Sequence, residues 1–255
     1  MKESIITLRN KVICLIGYSG LIGQAILQGL IDSGAVVICG SRNHPKINIK
    51  KSKRIYFYEI DISNEKSIES FIDKACVIHK KIDVWINCSL PKIKYSNYNW
   101  EYIKISEMLE DINGHLLGYF NSCRYVLKQM KKQKSGSIIN FGSIHGEVIP
   151  DMSIYNNTEI QKPPTYFMNK AGIHILSKYF AEIGSEYNIR VNTISPGGIF
   201  DNHSKVFVDK YTSKVPLKRM GMPDDVVGCT LLLASDSSSY ITGQTFFIDG
   251  GLTLR

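Results

Sequence analysis

The chain has 255 residues, 44% apolar and 21% charged, with 31 basic side chains against 23 acidic ones and a net charge of +8. That composition excludes a disordered chain, a fibre and a disulfide-dense miniprotein, and the length suits one large domain or two small ones. No apolar run reaches the roughly 18–20 residues of a spanning helix, and MKESIITLRN holds no apolar stretch of signal-peptide length, so a cytoplasmic protein without a membrane partner is expected.

Strand-like and helix-like segments then alternate. Residues 11–17 (KVICLIG) form a short, nearly continuous apolar run, as a strand buried on both faces should. A helix is expected over 21–31, strands over 35–39 and 54–60, a helix over 67–78 and a strand over 83–87. A long helical stretch follows over 103–132, then a strand over 137–141, a long helix over 166–187 and a strand over 189–194. A helix over 223–234 and a strand over 244–249 close the series. Repeated strand–helix units imply an α/β fold, a doubly wound parallel sheet of about seven strands with helices on both faces. No linker, low-complexity tract or second core interrupts it, so 1–255 reads as a single domain. The polar, Pro-, Gly- and Asn-bearing stretches 88–100 and 198–222 read as long loops.

Six cysteines, at 14, 39, 76, 88, 123 and 229, form no C-x-x-C pair and stand near no histidine cluster. Buried thiols in a reducing compartment are expected, with no metal. The positive excess is partly local: Arg42, Lys46, Lys50, Lys51, Lys53 and Arg54 crowd one stretch, and Lys128, Lys131, Lys132 and Lys134 another. Clustered cations attract nucleic acid, anionic lipid or phosphorylated small molecules. No recognition helix, RNA-binding aromatic motif or zinc module accompanies them, so a solvated loop and a helix C-terminus are the expected settings, without a nucleic-acid partner.

The first strand runs straight into Gly17-Tyr18-Ser19-Gly20-Leu21-Ile22-Gly23 and a helix. In that context Gly17 permits the tight turn, Gly20 lets the backbone approach a pyrophosphate, and Gly23 lets the helix pack on the sheet. The N–H groups and positive dipole end at the helix start, around Ser19, Leu21 and Ile22, suit the phosphates of a dinucleotide. The second strand closes on Cys39-Gly40-Ser41-Arg42, with no carboxylate to take the ribose hydroxyls of NAD. A hydroxyl and a guanidinium suit the additional phosphate of NADP, which is favoured over NAD.

Tyr166 and Lys170 stand four residues apart at the start of a helix, just after Pro163-Pro164, so phenol and ammonium share one face. With 14 tyrosines in the chain, about one such pair arises by chance. Placement gives it weight, because it follows a strand that ends in Asn140-Phe141-Gly142-Ser143. The glycine loop, Asp61, Asn87, Ser143, Tyr166 with Lys170, Ser195-Pro196-Gly197-Gly198 and Ile248-Asp249-Gly250-Gly251 recur in the order in which they stand in one family. Over essentially its whole length the chain resembles the single-domain short-chain dehydrogenases/reductases, which have the Rossmann fold.

The resemblance implies that Tyr166 is the catalytic acid/base, Lys170 its partner and a ligand of the nicotinamide ribose, and Ser143 the hydroxyl that orients the substrate carbonyl. It also implies that Asp61 and Ile62 hold the adenine, that Asn87, followed by Cys88, lies near the cofactor ribose, and that Pro196, Gly197 and Ile199 contact the nicotinamide. A free phenol has a pKa of ~10, and a neighbouring cation with an oxidised nicotinamide should lower it. A homodimer or homotetramer, assembled through the two long helices, is implied in the same way.

Several positions depart from the family pattern. The spacing G-x-x-G-x-x-G is closer to its longer, two-domain members, and Asn87-Cys88-Ser89-Leu90 replaces the usual Asn-Asn-Ala-Gly. The family's helical asparagine, which supports a relay water, falls on His115 when Gly118 is aligned, with Asn113 as an alternative. The added stretch 144–164, with His145, Glu147, Asp151, Tyr155, Asn156, Asn157 and Glu159, should wall the substrate pocket together with 88–100 and 198–222. These features, with SPGGIFDN at 195–202, are similar to a bacterial subgroup associated with flagellin modification and nonulosonic sugars. The expectation is an NADP(H)-dependent oxidoreductase acting on a small, polar, sugar-derived alcohol or ketone. The competing readings are a reductase of a lipid or acyl carbonyl, a catalytically silent cofactor sensor, and nucleic-acid binding through 42–54.

Overall fold

A computed structural model describes residues 6–43, 53–91, 94–158 and 160–254. Lys46, Lys50, Lys51, Lys92, Glu159 and the first five residues, all used in reading the sequence, lie outside the described set.

One sheet organises the molecule. Strands β1 (Val12–Ile16), β2 (Val36–Ser41), β3 (Ile55–Glu59), β4 (Val84–Asn87), β5 (Gly136–Phe141), β6 (Ile189–Pro196) and β7 (Thr245–Ile248) stand in the order β3-β2-β1-β4-β5-β6-β7. All pair in parallel, with Ile13 opposite Val37 on one side and Val84 on the other. The strand order reverses between β1 and β4, which opens a crevice at the carboxyl ends of the strands. The central strands are mostly apolar because both of their faces are covered, and their buried polar residues, such as Asn87 and Asn140, pair with one another. Along β1, Val12, Cys14 and Ile16 enter one core layer while Ile13 and Leu15 enter the other.

The first layer packs under α2 (Glu65–His79), α4 (Gly118–Gln133) and α5 (Pro164–Ser185), around Phe71, Trp85, Tyr119 and Phe180. The second packs under α1 (Leu21–Asp32) and α7 (Val227–Ala234), around Ile26, Leu30 and Leu233. The exposed lysines 128, 131, 132 and 134 close α4, where cations suit the helix dipole.

The sequence reading needs two corrections here. The stretch expected as one helix is α3 (Ile105–Ile112), a π-helical turn at Asn113–Leu117 and then α4. Segment 198–222 is not only loop, for it carries α6 (Lys205–Lys214). The Ser204 hydroxyl caps α6 by accepting from Phe207 N, and Phe207 and Tyr211, four residues apart, bury its inner face. Among the described residues no helix is long and apolar enough to cross a membrane, and no cluster of His, Cys, Asp or Glu is placed to hold a metal ion.

Candidate active site

The glycine loop lies at the reversal of strand order, where its chemistry requires it. Gly17 has φ +89°, and a Cβ there would stand 2.6 Å from Ser89 N, so the loop rests directly on the end of β4. A Cβ on Gly23 would overlap the Gly17 carbonyl, which ties the first turn of α1 to β1. Gly20 differs, since a Cβ there would meet only Gly17 O at 3.6 Å, leaving open space on that side. Gly20 also caps α1 without a side-chain acceptor. Open space beside uncapped N–H groups fits a pyrophosphate. Ser19 and Ser41 hydroxyls stand 3.3 Å apart across the two loop ends, and Arg42 is exposed next to them. Asp61 Oδ1 accepts from Ser63 N and Oγ, which shapes the turn after β3, and Ile62 packs against α4 at Gly118.

Two prolines begin the helix that carries the tyrosine. Pro163 is the N-cap of α5 and Pro164 its first residue, where a missing N–H costs nothing. Tyr166 therefore sits in the first turn, and Lys170 one turn further on the same face. Ser143 leaves β5 as the cap of a tight turn at Ile144–Gly146. The Tyr166 hydroxyl donates to Ser143 Oγ at 3.4 Å, and Lys170 Nζ donates to the Phe141 carbonyl at 3.0 Å. The three side chains expected to act together thus meet at the end of β5.

Their electrostatics differ from expectation in one respect. Burial pushes the Tyr166 phenol up, and the influence opposing it is the Ser143 hydrogen bond. Burial pushes the Lys170 amine down to about 8, which still leaves it mostly charged near neutral pH. In the protein alone burial dominates the phenol, and the lowering expected from Lys170 acting with an oxidised nicotinamide is not present. In this desolvated pocket the charge that would lower it is that of an oxidised nicotinamide.

The π turn sets His115 and Asn113 apart in burial. Asn113 is exposed, whereas His115 is 1% exposed, edge-on to Tyr119, with Nε2 buried and unpartnered among the described residues. Burial and the nearby Lys170 hold its pKa well below the usual histidine range. Both polar atoms of Asn169 and the Ser89 hydroxyl are also buried without partners.

Asn87 ends β4, and its side chain ties neighbouring elements together. Its Oδ1 accepts from Trp85 Nε1 at 2.8 Å and Ser122 Oγ at 2.6 Å, and its Nδ2 donates to Asn140 Oδ1 at 2.8 Å. The side-chain amide is fully engaged in joining β4, α4 and β5. Cys88 is inert, its thiol pushed up to about 12 by burial. Pro196 ends β6, Gly197 N bonds Ile248 O, and Ile199 bridges to Gly221, so all three lie at the carboxyl edge.

The three stretches expected to wall the pocket are tied to neighbouring elements. Tyr95, in 88–100, is fastened to Asp111 of α3 and Thr165 of α5 in a buried hydroxyl–carboxylate cluster. The insertion 144–164 is fastened to α6: Tyr155 stacks on Phe207 at 5.9 Å, and Lys214 pairs with Asp151 at 2.7 Å. The ring of His145 lies 6.2 Å from that of Tyr166, and Tyr211 Oη accepts from Gly198 N. Lys162 and Tyr211 also stand at this pocket, and sequence reasoning passed over both. The i, i+4 apolar pair behind the Ser204 cap would have signalled Tyr211, whereas nothing local marks Lys162.

Comparisons with known proteins agree with this geometry. The family model described as enoyl-(acyl carrier protein) reductase matches residues 19–253. The post-translational flagellin modification protein A of Campylobacter coli is 34% identical over 257 residues, covering 96% of this chain and 98% of that protein. The 3-oxoacyl-(acyl-carrier-protein) reductase of Thermotoga maritima is 30% identical over 262 residues, covering 97% of this chain and 99% of that one. A short chain dehydrogenase from Leptospira borgpetersenii with bound NAD+ is 38% identical, with a TM-score of 0.88, covering 97% of this chain and 94% of that one. Similarity of this extent, over a chain that keeps the family's motifs in their order, makes this protein a short-chain dehydrogenase/reductase, a nicotinamide-dependent oxidoreductase.

Proposed function

We propose that the protein is an NADP(H)-dependent enzyme that interconverts a secondary alcohol and a ketone on a small, polar, sugar-derived substrate. The observation that carries this reading is the meeting of Tyr166, Ser143 and Lys170 at the crevice beside the glycine loop. The loop 17–23, Ser41, Arg42, Asp61, Ile62 and the 196–199 turn are placed to hold a dinucleotide, and its nicotinamide supplies or takes up the hydride when bound. In reduction Tyr166 gives its proton to the oxygen of the new alkoxide, and Ser143 holds that oxygen in reach. The phenol's raised pKa keeps that proton available near neutral pH. Lys170, anchored on Phe141, faces the ribose. His115, with Asn169 and Ser89, offers unpaired polar atoms through which a water chain returns the proton.

NADP is favoured because Arg42 and Ser41 close β2 where a carboxylate would select NAD. A polar substrate is favoured by the hydroxyls, imidazole and amine of the pocket wall, and the flagellin-modification relative supports a sugar of the kind its subgroup implies. The acyl-carrier-protein reductase relative supports a second reading, reduction of an acyl carbonyl. The protein acts as one domain in the cytoplasm, as a homo-oligomer. A screen of keto-sugars, sugar phosphates and acyl ketones, with NADPH and NADH side by side, tests all of this. Tyr166→Phe should keep cofactor affinity and lower kcat by about 10²–10⁴ on whichever substrate turns over. An active Phe variant overturns the mechanism, and turnover confined to acyl ketones selects the second reading.

A further inference from the structure

Lys162 is a half-buried amine with no ion-pair partner among the described residues. Its Nζ lies 4.5 Å from the ring centroid of Tyr166 and 5.9 Å from that of Tyr155, on the segment that leads into α5. Among the described residues no carboxylate stands within ion-pair distance of it. The charged and titratable groups around it are Lys170, His145, Tyr155 and Tyr166. Its charge and that of Lys170 disfavour each other, and His145 is held neutral, with its pKa down at about 4. Of the described acids on the same stretch, Asp151 pairs with Lys214, and Glu147 is exposed. A half-buried amine beside the Tyr166 ring, with no carboxylate on it among the described residues, is free to pair with an anionic group of a bound ligand.

We propose that Lys162 is the substrate's anion-binding residue, so that the natural substrate carries a carboxylate or phosphoryl group close to the carbon that is oxidised or reduced. This deepens the functional reading above and rests on it. The position on the ring of Tyr166 sets the distance, since an anion seated on this amine lies beside the phenol that serves the reacting oxygen. The Nδ1 of His145 faces the Val148 carbonyl at 3.3 Å and is therefore the donor, which leaves Nε2 to accept from a substrate hydroxyl. Amine and imidazole together describe a hydroxylated acid or a sugar phosphate rather than a neutral polyol or an acyl chain. Burial, which pushes the Lys162 amine down to about 8, would be offset by such a ligand.

Calorimetric titration of the NADP+-loaded protein with gluconate and with sorbitol tests this, because the two share a hydroxylated chain and differ in charge. Gluconate should bind at least about tenfold more tightly. Lys162→Met should erase the difference, and Lys162→Arg should keep most of it, with melting temperatures confirming that both variants fold. Displacement of gluconate by acetate assigns the subsite to a carboxylate, and displacement by inorganic phosphate to a phosphoryl group. Equal binding of gluconate and sorbitol by the unaltered protein, or a preference that survives in Lys162→Met, overturns the proposal. NADP+ affinity is measured separately. Its absence overturns the functional reading, while the gluconate–sorbitol comparison on the free protein still decides this one.

Discussion

A phenol in a dry pocket holds its proton, and an amine in the same pocket gives its own up. Tyr166 and Lys170 show both effects side by side. The amine's shift can be read without any substrate. In the unfolded chain a lysine titrates near ~10.4, while in the folded protein Lys170 does so at about 8. Between those values the folded state has lost a proton that the unfolded state still binds, so stability rises with pH across that window. Relative to Lys170→Met, the unaltered protein should gain about 1–3 kcal/mol between pH 7 and pH 10. Urea unfolding of both proteins at the two pH values checks it, and a constant gap would mean that the amine is not desolvated. Arg42 makes an independent prediction at the crevice's other end. Arg42→Asp should weaken NADPH by about tenfold or more and leave NADH little changed, since an exposed guanidinium has only the additional phosphate to bind. Equal losses, read by nucleotide fluorescence titration, would remove the NADP assignment.

Among the elements, the turn after β5 matters most, because it sets Ser143 against Tyr166. A Cβ on Gly146 would stand 2.7 Å from the Lys170 carbonyl, so this turn lies flush on the backbone of α5. Gly146→Ala must push the turn off the helix and carry Ser143 with it. A displacement near 1 Å costs about 10²-fold in rate. We expect kcat to fall by that order while cofactor affinity holds, and an unimpaired kcat would show that the contact does not position Ser143. The elements also explain what was legible in the sequence. β1 could be read because a strand buried on both faces is apolar without interruption, β5 because Ile138 and Ile139 stand between helical stretches, and α5 because Pro163-Pro164 mark its start. The break in the helix at His115 could not be read, since a π turn leaves the apolar spacing nearly intact. α6 was passed over because KVFVDKYTSK buries only Phe207 and Tyr211 under a polar surface. The partners of the Asn87 amide, Trp85, Ser122 and Asn140, were not legible, being distant in sequence or alternate along the strand. Lys162 escaped notice because its place against the Tyr166 ring is set by the fold and not by any local motif.

At the scale of the molecule, the two helical segments beside the site leave apolar surface uncovered. On α5, Ile175 is 65% exposed and Tyr179 56%, on the side opposite the buried Ile173, Ser177 and Phe180. On α3, Ile105 and Leu109 are 67% and 61% exposed, one turn apart. Apolar surface of this kind on neighbouring helices suits a second copy of the chain, because two identical faces related by a two-fold axis cover each other. The consequence reaches the chemistry, because α5 also carries Tyr166, Asn169 and Lys170 along its inward face. A helix packed on both sides would hold those groups more rigidly than one packed on one side. We expect the unaltered protein to sediment as a dimer or tetramer and an Ile175→Glu, Tyr179→Glu double variant to sediment as a monomer. The variant should melt at a lower temperature and turn over more slowly, although neither substitution touches the crevice. A monomeric unaltered protein would refute the assembly. A monomeric variant with full turnover would show that α5 holds its catalytic face without a partner.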